Sequence, residues 1–314
     1  GFHGMTQVLS RRRLLMSLGV AASTIATPGF SKTSVRMQGS DRGSLRLVFC
    51  TDFHADEKEE TATALAMASD VVNAQKADLV LCGGDLIAGG FSSSLQDTAS
   101  RWDAYMRMSR TIKAEQHAVL GNHDLVGVRP AETSDILTDP RQAFKERLGL
   151  RRTFQSFDAL GYRFILLDSI RISKQAHLYD GWVSMEQQEW LTELLASTPK
   201  DMPIILMLHM PLITNFFAAT EGATFQSPRN RVVINNTEVL DLFAPHNLIL
   251  VLQGHLHVSE AMQWRGTTFL TGGAICGGWW RGAYFDTVEG FTSITLKDDR
   301  IEWEYVDYGW NARR

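Results

Sequence analysis

Short apolar runs recur along the chain from residue 45 onward, and five of them lead directly into a cluster of polar or glycine residues. The runs cover residues 45–50, 79–82, 118–120, 164–167, 204–208, 248–252 and 267–270. Short continuous apolar runs are typical of strands that are buried on both faces. Helical patterns lie between several of them, at residues 56–72, 94–114, 141–148, 184–196 and 237–243. We therefore predict an α/β protein in which sheets are layered between helices.

The C-terminal part of the chain follows a different pattern. Strand-like segments follow one another there through short turns, at residues 259–264, 267–271, 289–297 and 299–306. Together with the earlier runs they predict a single domain, residues 45–314, that contains two stacked sheets. No fixed-period repeat, low-complexity tract or Pro/Gly/Ser linker interrupts the sequence after residue 44.

Charge and cysteine content argue against two classes of protein. The sequence has 31 Lys and Arg against 35 Asp and Glu, a formal net charge of −4, so it lacks the broad positive field that non-specific nucleic-acid binding needs. Cys50, Cys82 and Cys276 are too few and too scattered for a disulfide framework, and their spacing fits no thiolate zinc site. We predict that all three are buried as small apolar side chains.

The first 44 residues are assigned to an appended remnant, an export signal and a linker. Residues 1–4 precede Met5 and are interpreted as the remnant. Arg11–Arg13 come before an apolar stretch that runs to about Ile25, and the first acidic residue is Asp41. This pattern resembles a twin-arginine export signal, which predicts a location in the bacterial periplasm. A basic N-terminal arm is the alternative interpretation.

The apolar stretch is shorter than the ~20 residues that cross a bilayer, and no other window approaches that length, so we predict no membrane span. An ordered apolar helix needs cover, and we expect residues 14–25 to pack on a neighbouring chain or on an apolar groove. Residues 212–231, which contain Phe216, Phe217 and Phe225, are long for a connection and are interpreted as a lid or a partner contact. Both segments are candidate contacts in a homo-oligomer.

The polar clusters contain residue types that bind metals. In chain order they are Asp52-Phe53-His54, Gly83-Gly84-Asp85, Gly121-Asn122-His123-Asp124, His209, and Gly254-His255-Leu256-His257. The C-terminal ends of strands in a layered α/β fold converge on one crevice, so these clusters are expected to share a site. Carboxylate, imidazole and amide groups suit divalent transition metals. Each cluster alone is a weak signal, but together they hold five of the nine histidines.

Two of the clusters place ligand-type residues two positions apart, at Asp52 and His54 and at His255 and His257. In extended backbone, residues two apart point the same way. We therefore expect each pair to face one site.

These clusters resemble the ordered signature of the calcineurin-like metallophosphoesterases, a family that includes the purple acid phosphatases and many bacterial phosphodiesterases. The signature is Asp-x-His, Gly-Asp, Gly-Asn-His-Asp or Glu, a lone His, and Gly-His-x-His, and every block is present across about residues 45–275. The resemblance implies a four-layer α/β/β/α sandwich of two mixed sheets flanked by helices.

The resemblance also implies a role for each site residue. Asp52, His54, Asp85 and His257 would hold one metal ion. Asp85 would bridge to a second ion held also by Asn122, His209 and His255. His123 would contact the phosphate, with Asp124 orienting it. The implied cofactors are two divalent or mixed-valence ions, with Mn, Fe, Zn and Co as candidates.

Such a site has a physical rationale. Phosphoesters are anionic and repel hydroxide, whereas two ions ~3.5–4 Å apart lower the pKa of a bound water toward ~7 and clamp the attacking and leaving oxygens in line. With Asp52 and Asp85 as the charged ligands, two divalent ions leave a net charge of about +2. The neutral ligand Asn122 makes the two positions unequal, so one ion is expected to bind more weakly. His123 would stabilise the phosphoryl oxygens or protonate the leaving group, or would only orient its neighbours.

The function predicted from the sequence is therefore hydrolysis of small phosphate esters. One alternative within it is a phosphodiesterase for cyclic nucleotides or glycerophosphodiesters, and an alternative of another class is a non-catalytic metal-binding interaction module. Asn122, His123, Trp279, Trp280 and Arg281 are the candidate substrate contacts. The tryptophans could stack on an organic leaving group and Arg281 could pair with a phosphate oxygen. Equally, the Trp pair could cover the core of the domain.

Overall fold

The computed structural model describes residues 33–36, 43–173, 178–298 and 300–312. The strands are β1 (Thr33–Arg36), β2 (Leu45–Cys50), β3 (Leu79–Cys82), β4 (Glu115–Ala118), β5 (Gln155–Ala159), β6 (Tyr162–Leu166), β7 (Ile170–Ile172), β8 (Tyr179–Gly181), β9 (Pro203–Leu208), β10 (Asn247–Gln253), β11 (Glu260–Trp264), β12 (Thr267–Thr271), β13 (Gly290–Lys297) and β14 (Arg300–Asp307). The helices are α1 (Glu59–Ala74), α2 (Leu95–Ser109), α3 (Gln142–Leu148), α4 (Met185–Ala196), α5 (Phe216–Glu221) and α6 (Asn236–Phe243).

The strands form two large mixed sheets, as predicted. The first has the order β1-β14-β13-β2-β3-β4 and the second the order β11-β12-β10-β9-β6-β5. In the first sheet β2, β3 and β4 are parallel, and in the second β6, β9, β10 and β12 are parallel. A small antiparallel pair, β7 and β8, stands apart from both. The parallel strands in each sheet therefore bring their C-terminal ends to one edge.

Successive side chains of a strand point to opposite faces of its sheet, and this alternation explains the four layers. Leu45, Leu47 and Phe49 of β2 belong to the core between the sheets, together with residues of β9 and β10. Val48 and Cys50, which point the other way, pack in the cluster that includes the apolar faces of the helices. Helices α1 and α2 pack against each other, as do α4 and α6. Because both faces of the central strands are covered, the strands read as continuous apolar runs.

Helix starts follow the local capping chemistry. Ser94 and Ser184 cap α2 and α4, since their hydroxyls accept hydrogen bonds from the backbone N–H of Asp97 and Gln187. The first helix begins later than the pattern predicted over residues 56–72, and Asp56 does not cap it. Helix α1 begins at Glu59 with Lys58 at the N-cap, and the Asp56 carboxylate instead accepts a hydrogen bond from the Lys58 N–H.

The structure adds elements that the sequence analysis did not predict. Strand β1 lies within residues 1–44, so part of the segment assigned to a leader and linker pairs with β14 at the edge of the first sheet. Residues 212–231 contain α5. The predictions for residues 1–32, including the packing of residues 14–25, lie outside the described residues and stay predictions. Over the described ranges, no helix is long and apolar enough to cross a membrane.

Candidate metal centre

All five polar clusters lie where strands β2, β3, β4, β9 and β10 end, and the structure brings them together at one edge of the sandwich. Side-chain hydrogen bonds link the strand ends of the two sheets at this point. The His209 ring contacts the Gly83 carbonyl oxygen through Nδ1 at 2.7 Å, and Asp52 Oδ2 accepts from the backbone N–H of His255 at 3.0 Å. Asp52, His209 and the other candidate ligands are buried. Residues more than 200 positions apart thus share one site.

The candidate ligand atoms form two adjoining groups around Asp85. In the first, His257 Nε2 lies 3.2 Å from Asp52 Oδ1, and His54 Nε2 lies 3.7 Å from that oxygen and 3.5 Å from Asp85 Oδ2. In the second, His209 Nε2 lies 3.2 Å from Asp85 Oδ2 and 3.1 Å from His255 Nδ1. Ligands at ~2.1 Å from one ion are about 3–3.5 Å apart. The shorter separations match this spacing.

Three buried candidate ligand atoms in this cluster support metal binding. Asp52 Oδ1, His54 Nε2 and Asn122 Oδ1 have no hydrogen-bond partner. A buried polar atom without a partner is costly, and an ion is one of the groups that satisfies it. The oxygen and nitrogen donors are those that Mn, Fe, Zn and Co accept. The residues present therefore fit a pair of such ions.

Backbone carbonyls orient the imidazoles. The second ring nitrogen of each of three histidines faces a carbonyl oxygen: His209 Nδ1 faces Gly83, His257 Nδ1 faces Gly277 at 2.7 Å, and His255 Nε2 faces Asn230 at 2.9 Å. A ring that donates one N–H to a carbonyl offers the lone pair of its other nitrogen to a ligand. His209 and His257 therefore present Nε2 to the site, whereas His255 presents Nδ1.

The electrostatics of the cluster favour bound cations. Burial opposes ionisation of Asp52, but the nearby His257 and His209 imidazoles outweigh it and hold the pKa of Asp52 well below its usual range. Burial likewise opposes protonation of His209, yet the Asp85 and Asp52 carboxylates raise its pKa to about 9. Burial and the neighbouring His209 lower the pKa of His255 to about 3. The two ionised carboxylates thus attract positive charge to the site, and protons and metal ions compete for the same ligand atoms.

The ligand pairs converge for a different reason from the one predicted. Asp52, His54, Asp85, His255 and His257 all have positive φ, between 43° and 73°. The backbone at these residues is in the left-handed region, so the expectation of extended X-x-X pairs is wrong. Non-glycine residues adopt this conformation at a cost of about 1–3 kcal/mol each, and such strain gathers at functional sites. Tight left-handed turns aim these side chains at the site.

Glycine is required where the loops approach one another. A Cβ atom on Gly121 would lie 2.2 Å from both the backbone nitrogen and the Oδ1 atom of Asp85. No side chain can occupy that space without displacing Asp85. The glycine in this motif therefore serves the packing of the β3 and β4 loops.

His123 lies at the edge of the centre, and its ring nitrogens have defined roles. Its ring is 4.6 Å from that of His54, and its Nδ1 accepts a hydrogen bond from the Gly89 N–H at 2.9 Å. Burial, partly offset by Asp85, lowers the pKa of His123 to about 4. The neutral ring then carries its proton on Nε2, because Nδ1 is an acceptor.

The hydrogen bonds of the Asp124 side chain differ from its predicted role of orienting His123. The Asp124 carboxylate accepts hydrogen bonds from the backbone N–H groups of Leu86 (2.7 Å), Ile87 (3.2 Å) and Gly121 (2.8 Å). Asp124 therefore holds the β3 and β4 loops together, and Gly89 is the group that orients His123.

The three candidate substrate contacts after β12 have different positions. Trp279 stacks on the His257 ring at 4.4 Å and is 38% exposed. Trp280 donates from Nε1 to the His54 carbonyl oxygen at 3.0 Å, so it supports the backbone of a candidate ligand. Arg281 is exposed, and within the described part of the chain its side chain makes no hydrogen bond or ion pair with a site residue.

Several residues that were not predicted to belong to the site border the centre. Asn230 supplies the carbonyl that orients His255, and the positive charge of Arg231 acts on His255. Burial raises the pKa of Tyr179, and the nearby Asp85 carboxylate raises it further. Cys276 Sγ lies 3.7 Å from His257 Nδ1, and all three cysteines are buried as predicted. Tyr179, Asn230 and Arg231 lie outside the motif blocks. Asn230 and Arg231 fall within residues 212–231, the segment interpreted as a lid or a partner contact, but no local pattern marked either residue as part of the site.

A two-sheet sandwich whose strand ends carry paired sets of carboxylate, imidazole and amide groups defines the class of the metallophosphoesterases. The family model described as calcineurin-like phosphoesterase matches residues 45–259. The chain belongs to this family and is a phosphoric ester hydrolase.

Solved structures share the fold. A dimetal phosphatase from Danio rerio is 16% identical with a TM-score of 0.59, and the match covers 83% of this chain and 95% of that one. The purple acid phosphatase PPD1 from yellow lupin (Lupinus luteus) is 17% identical with a TM-score of 0.58, and the match covers 85% of this chain and 52% of the lupin chain. GAP50, described as the anchor in the inner membrane complex of Plasmodium, is 13% identical with a TM-score of 0.53, over 84% of this chain and 85% of that one.

At these identities the likeness establishes the fold alone. No curated protein matches the chain in a sequence search.

Proposed function

We propose that this chain hydrolyses small organic phosphate esters with the aid of two divalent metal ions. The observation that carries the proposal is the set of buried donor atoms without hydrogen-bond partners, on Asp52, His54 and Asn122, where the strand ends of both sheets meet. A purely structural polar cluster would pair these atoms with one another or with the backbone.

The proposed ligands are the two groups described above. Asp52, His54, Asp85 and His257 would hold one ion, and Asp85, Asn122, His209 and His255 the other. When bound, two such ions lower the pKa of a water molecule and neutralise charge on the phosphoryl group. The Thr51 hydroxyl, which donates to Asp52 Oδ2 at 2.6 Å, leaves Oδ1 as the ligand atom of that carboxylate.

His123 is the proposed hydrogen-bond donor to the leaving group. Its Nε2–H is free to point toward substrate because Nδ1 is occupied by the Gly89 N–H. In that position the neutral ring would donate a hydrogen bond to the oxygen of the leaving alkoxide and stabilise the charge that develops there. Arg231, whose charge acts on His255, would add attraction for the anionic substrate.

The direct test is turnover of a panel of phosphate esters by the full chain with Mn²⁺, Zn²⁺, Co²⁺ or Fe²⁺ added. Turnover that requires one of these ions is the expected result. Comparing kcat/KM for p-nitrophenyl phosphate and bis-p-nitrophenyl phosphate separates a monoesterase from a diesterase. Absence of turnover with every ion and ester would contradict the proposal and favour the non-catalytic interaction module.

Replacing His123 with alanine should lower kcat by about 10²- to 10³-fold for an alkyl phosphate, because the charge that develops on the alkoxide oxygen loses its hydrogen-bond donor. The loss should be smaller for p-nitrophenyl phosphate, because its phenolate spreads the charge over the ring and needs that hydrogen bond less. Steady-state kinetics on both esters measures the difference. His246→Ala, which alters a histidine near Lys200 rather than one at the centre, is the matched control. Equal losses on the two esters would show that His123 only orients its neighbours.

A further inference from the structure

A continuous series of aromatic rings runs from the candidate metal centre to the solvent. It consists of Trp279, Tyr284, Phe285, Phe216, Phe217 and Phe225, which we call the aromatic wall. The wall starts on a candidate ligand, since Trp279 stacks on His257 at 4.4 Å with an interplanar angle of 29°.

Successive rings of the wall are in contact. Tyr284 meets Trp279 edge-on at 5.2 Å and Phe285 at 4.8 Å, and Phe285 meets Phe216 at 5.2 Å. Phe216, Phe217 and Phe225 continue the series, with centroid separations of 5.1 and 6.1 Å. The wall thus joins two separate segments, one that contains α5 before β10 and one after β12, into a single surface beside the centre.

Parts of the wall remain exposed although its base is buried. Phe216 and Phe217 pack with Leu256 and Val258, the residues on either side of His257. Trp279, Phe285 and Phe225 are 38%, 58% and 45% exposed, respectively. Core packing explains the buried rings but not the exposed ones. Large exposed rings that adjoin a polar centre are typical of ligand-binding surfaces.

We infer that the aromatic wall binds a flat ring carried by the ester group of the substrate, an aryl group or a nucleobase. This inference rests on the proposed function, because the phosphoryl group bound at the metal centre would place the ester group next to Trp279. Trp279 is held by His257 and Tyr284, so little side-chain entropy is lost when a ring stacks on it. Trp279, Phe285 and Phe225 present exposed aromatic rings, and such rings stack on flat rings more favourably than on alkyl chains.

The backbone at Trp279 allows a clean test. Its φ is 54°, a left-handed conformation that asparagine tolerates better than most residues. Trp279→Asn therefore removes the ring while respecting the backbone. Trp264→Asn is the matched control, because Trp264 is an exposed tryptophan on β11 paired with the start of β12, at the opposite end of that strand from the site.

The test compares 5′-AMP with ribose 5-phosphate, which share a primary phosphate ester and differ in the base. A stacked base is worth about 10- to 100-fold, so wild-type kcat/KM should favour AMP by that factor. In Trp279→Asn the ratio should fall to about threefold or less, and in Trp264→Asn it should stay at the wild-type value. Metal analysis of each variant checks that the centre is retained.

A second pair, benzyl phosphate and cyclohexylmethyl phosphate, compares a flat ring with a puckered ring of similar size. A preference for AMP in the first pair or for benzyl phosphate in the second, if it is lost in Trp279→Asn, supports the inference. A preference in the first pair indicates a nucleobase, and a preference in the second pair alone indicates a simple aryl group. Independently of turnover, adenosine should quench tryptophan fluorescence in the wild type more than in Trp279→Asn. Turnover without preference in either pair would overturn the inference while the proposed function stands. No turnover of any ester would contradict the proposed function itself.

Discussion

Asp85→Asn is expected to abolish turnover and to empty both proposed metal positions. Asp85 Oδ2 lies 3.2 Å from His209 Nε2 and 3.5 Å from His54 Nε2, so this one oxygen belongs to both ligand groups. Asparagine removes its charge and can present an N–H group there. Because the ions supply several kcal/mol of charge stabilisation, kcat/KM should fall by at least about 10³- to 10⁴-fold. Steady-state kinetics and metal analysis of the purified variant measure the two effects.

The control is Asp78→Asn. Asp78 is exposed at the start of β3, where its carboxylate accepts a hydrogen bond from the Arg46 N–H, and it lies at the opposite end of the strand from Asp85. This variant should keep both metal content and turnover. If Asp85→Asn retained full activity with a full complement of metal, the two-metal mechanism would be wrong.

Removing metal with a chelator should stop turnover and lower the thermal stability of the protein. Without ions, the buried cluster keeps two carboxylates close together and donor atoms on Asp52, His54 and Asn122 without partners. A ligand at 100 times its Kd stabilises the folded state by about 2.7 kcal/mol. For a domain of this size, losing about 2.7 kcal/mol when the metal is removed lowers Tm by about 5–10 °C.

Differential scanning fluorimetry before and after chelation, followed by addition of Mn²⁺, Zn²⁺, Co²⁺ or Fe²⁺, measures this shift. At least one ion should restore both Tm and turnover. The Asp85→Asn variant should show little response to the chelator, since it has already lost its metal. An unchanged Tm together with full turnover after chelation would contradict the proposed role of the cluster.

Much of the fold followed from local pattern. The apolar runs at residues 45–50 and 79–82 coincide with β2 and β3, because strands buried on both faces need apolar residues at successive positions. Two of the edge strands, β4 and β5, were harder to locate. β4 covers Glu115–Ala118, earlier than the predicted run at 118–120, since an edge strand with little burial carries polar residues. β5 was not predicted for a related reason, as none of its residues is fully buried.

Residue roles that depend on a single atom could not be predicted in the same way. The sequence places Asp124 next to His123, yet its carboxylate reaches the backbone of Leu86, Ile87 and Gly121. Trp279 and Trp280 are neighbours, yet one stacks on His257 and the other supports His54. Positive φ at both tryptophans sends adjacent side chains in different directions.

The strands, the layered architecture and the order of the candidate ligands along the chain could be predicted from local pattern, because burial imposes apolar runs and parallel strands bring their ends to one edge. The three-dimensional fold was needed to establish which nitrogen of each imidazole faces the site, which backbone groups hold Asp124, and that Arg231 and the complete aromatic wall border the centre. Those features arise from contacts between segments far apart in the chain and from left-handed turns. No local periodicity specifies either of them.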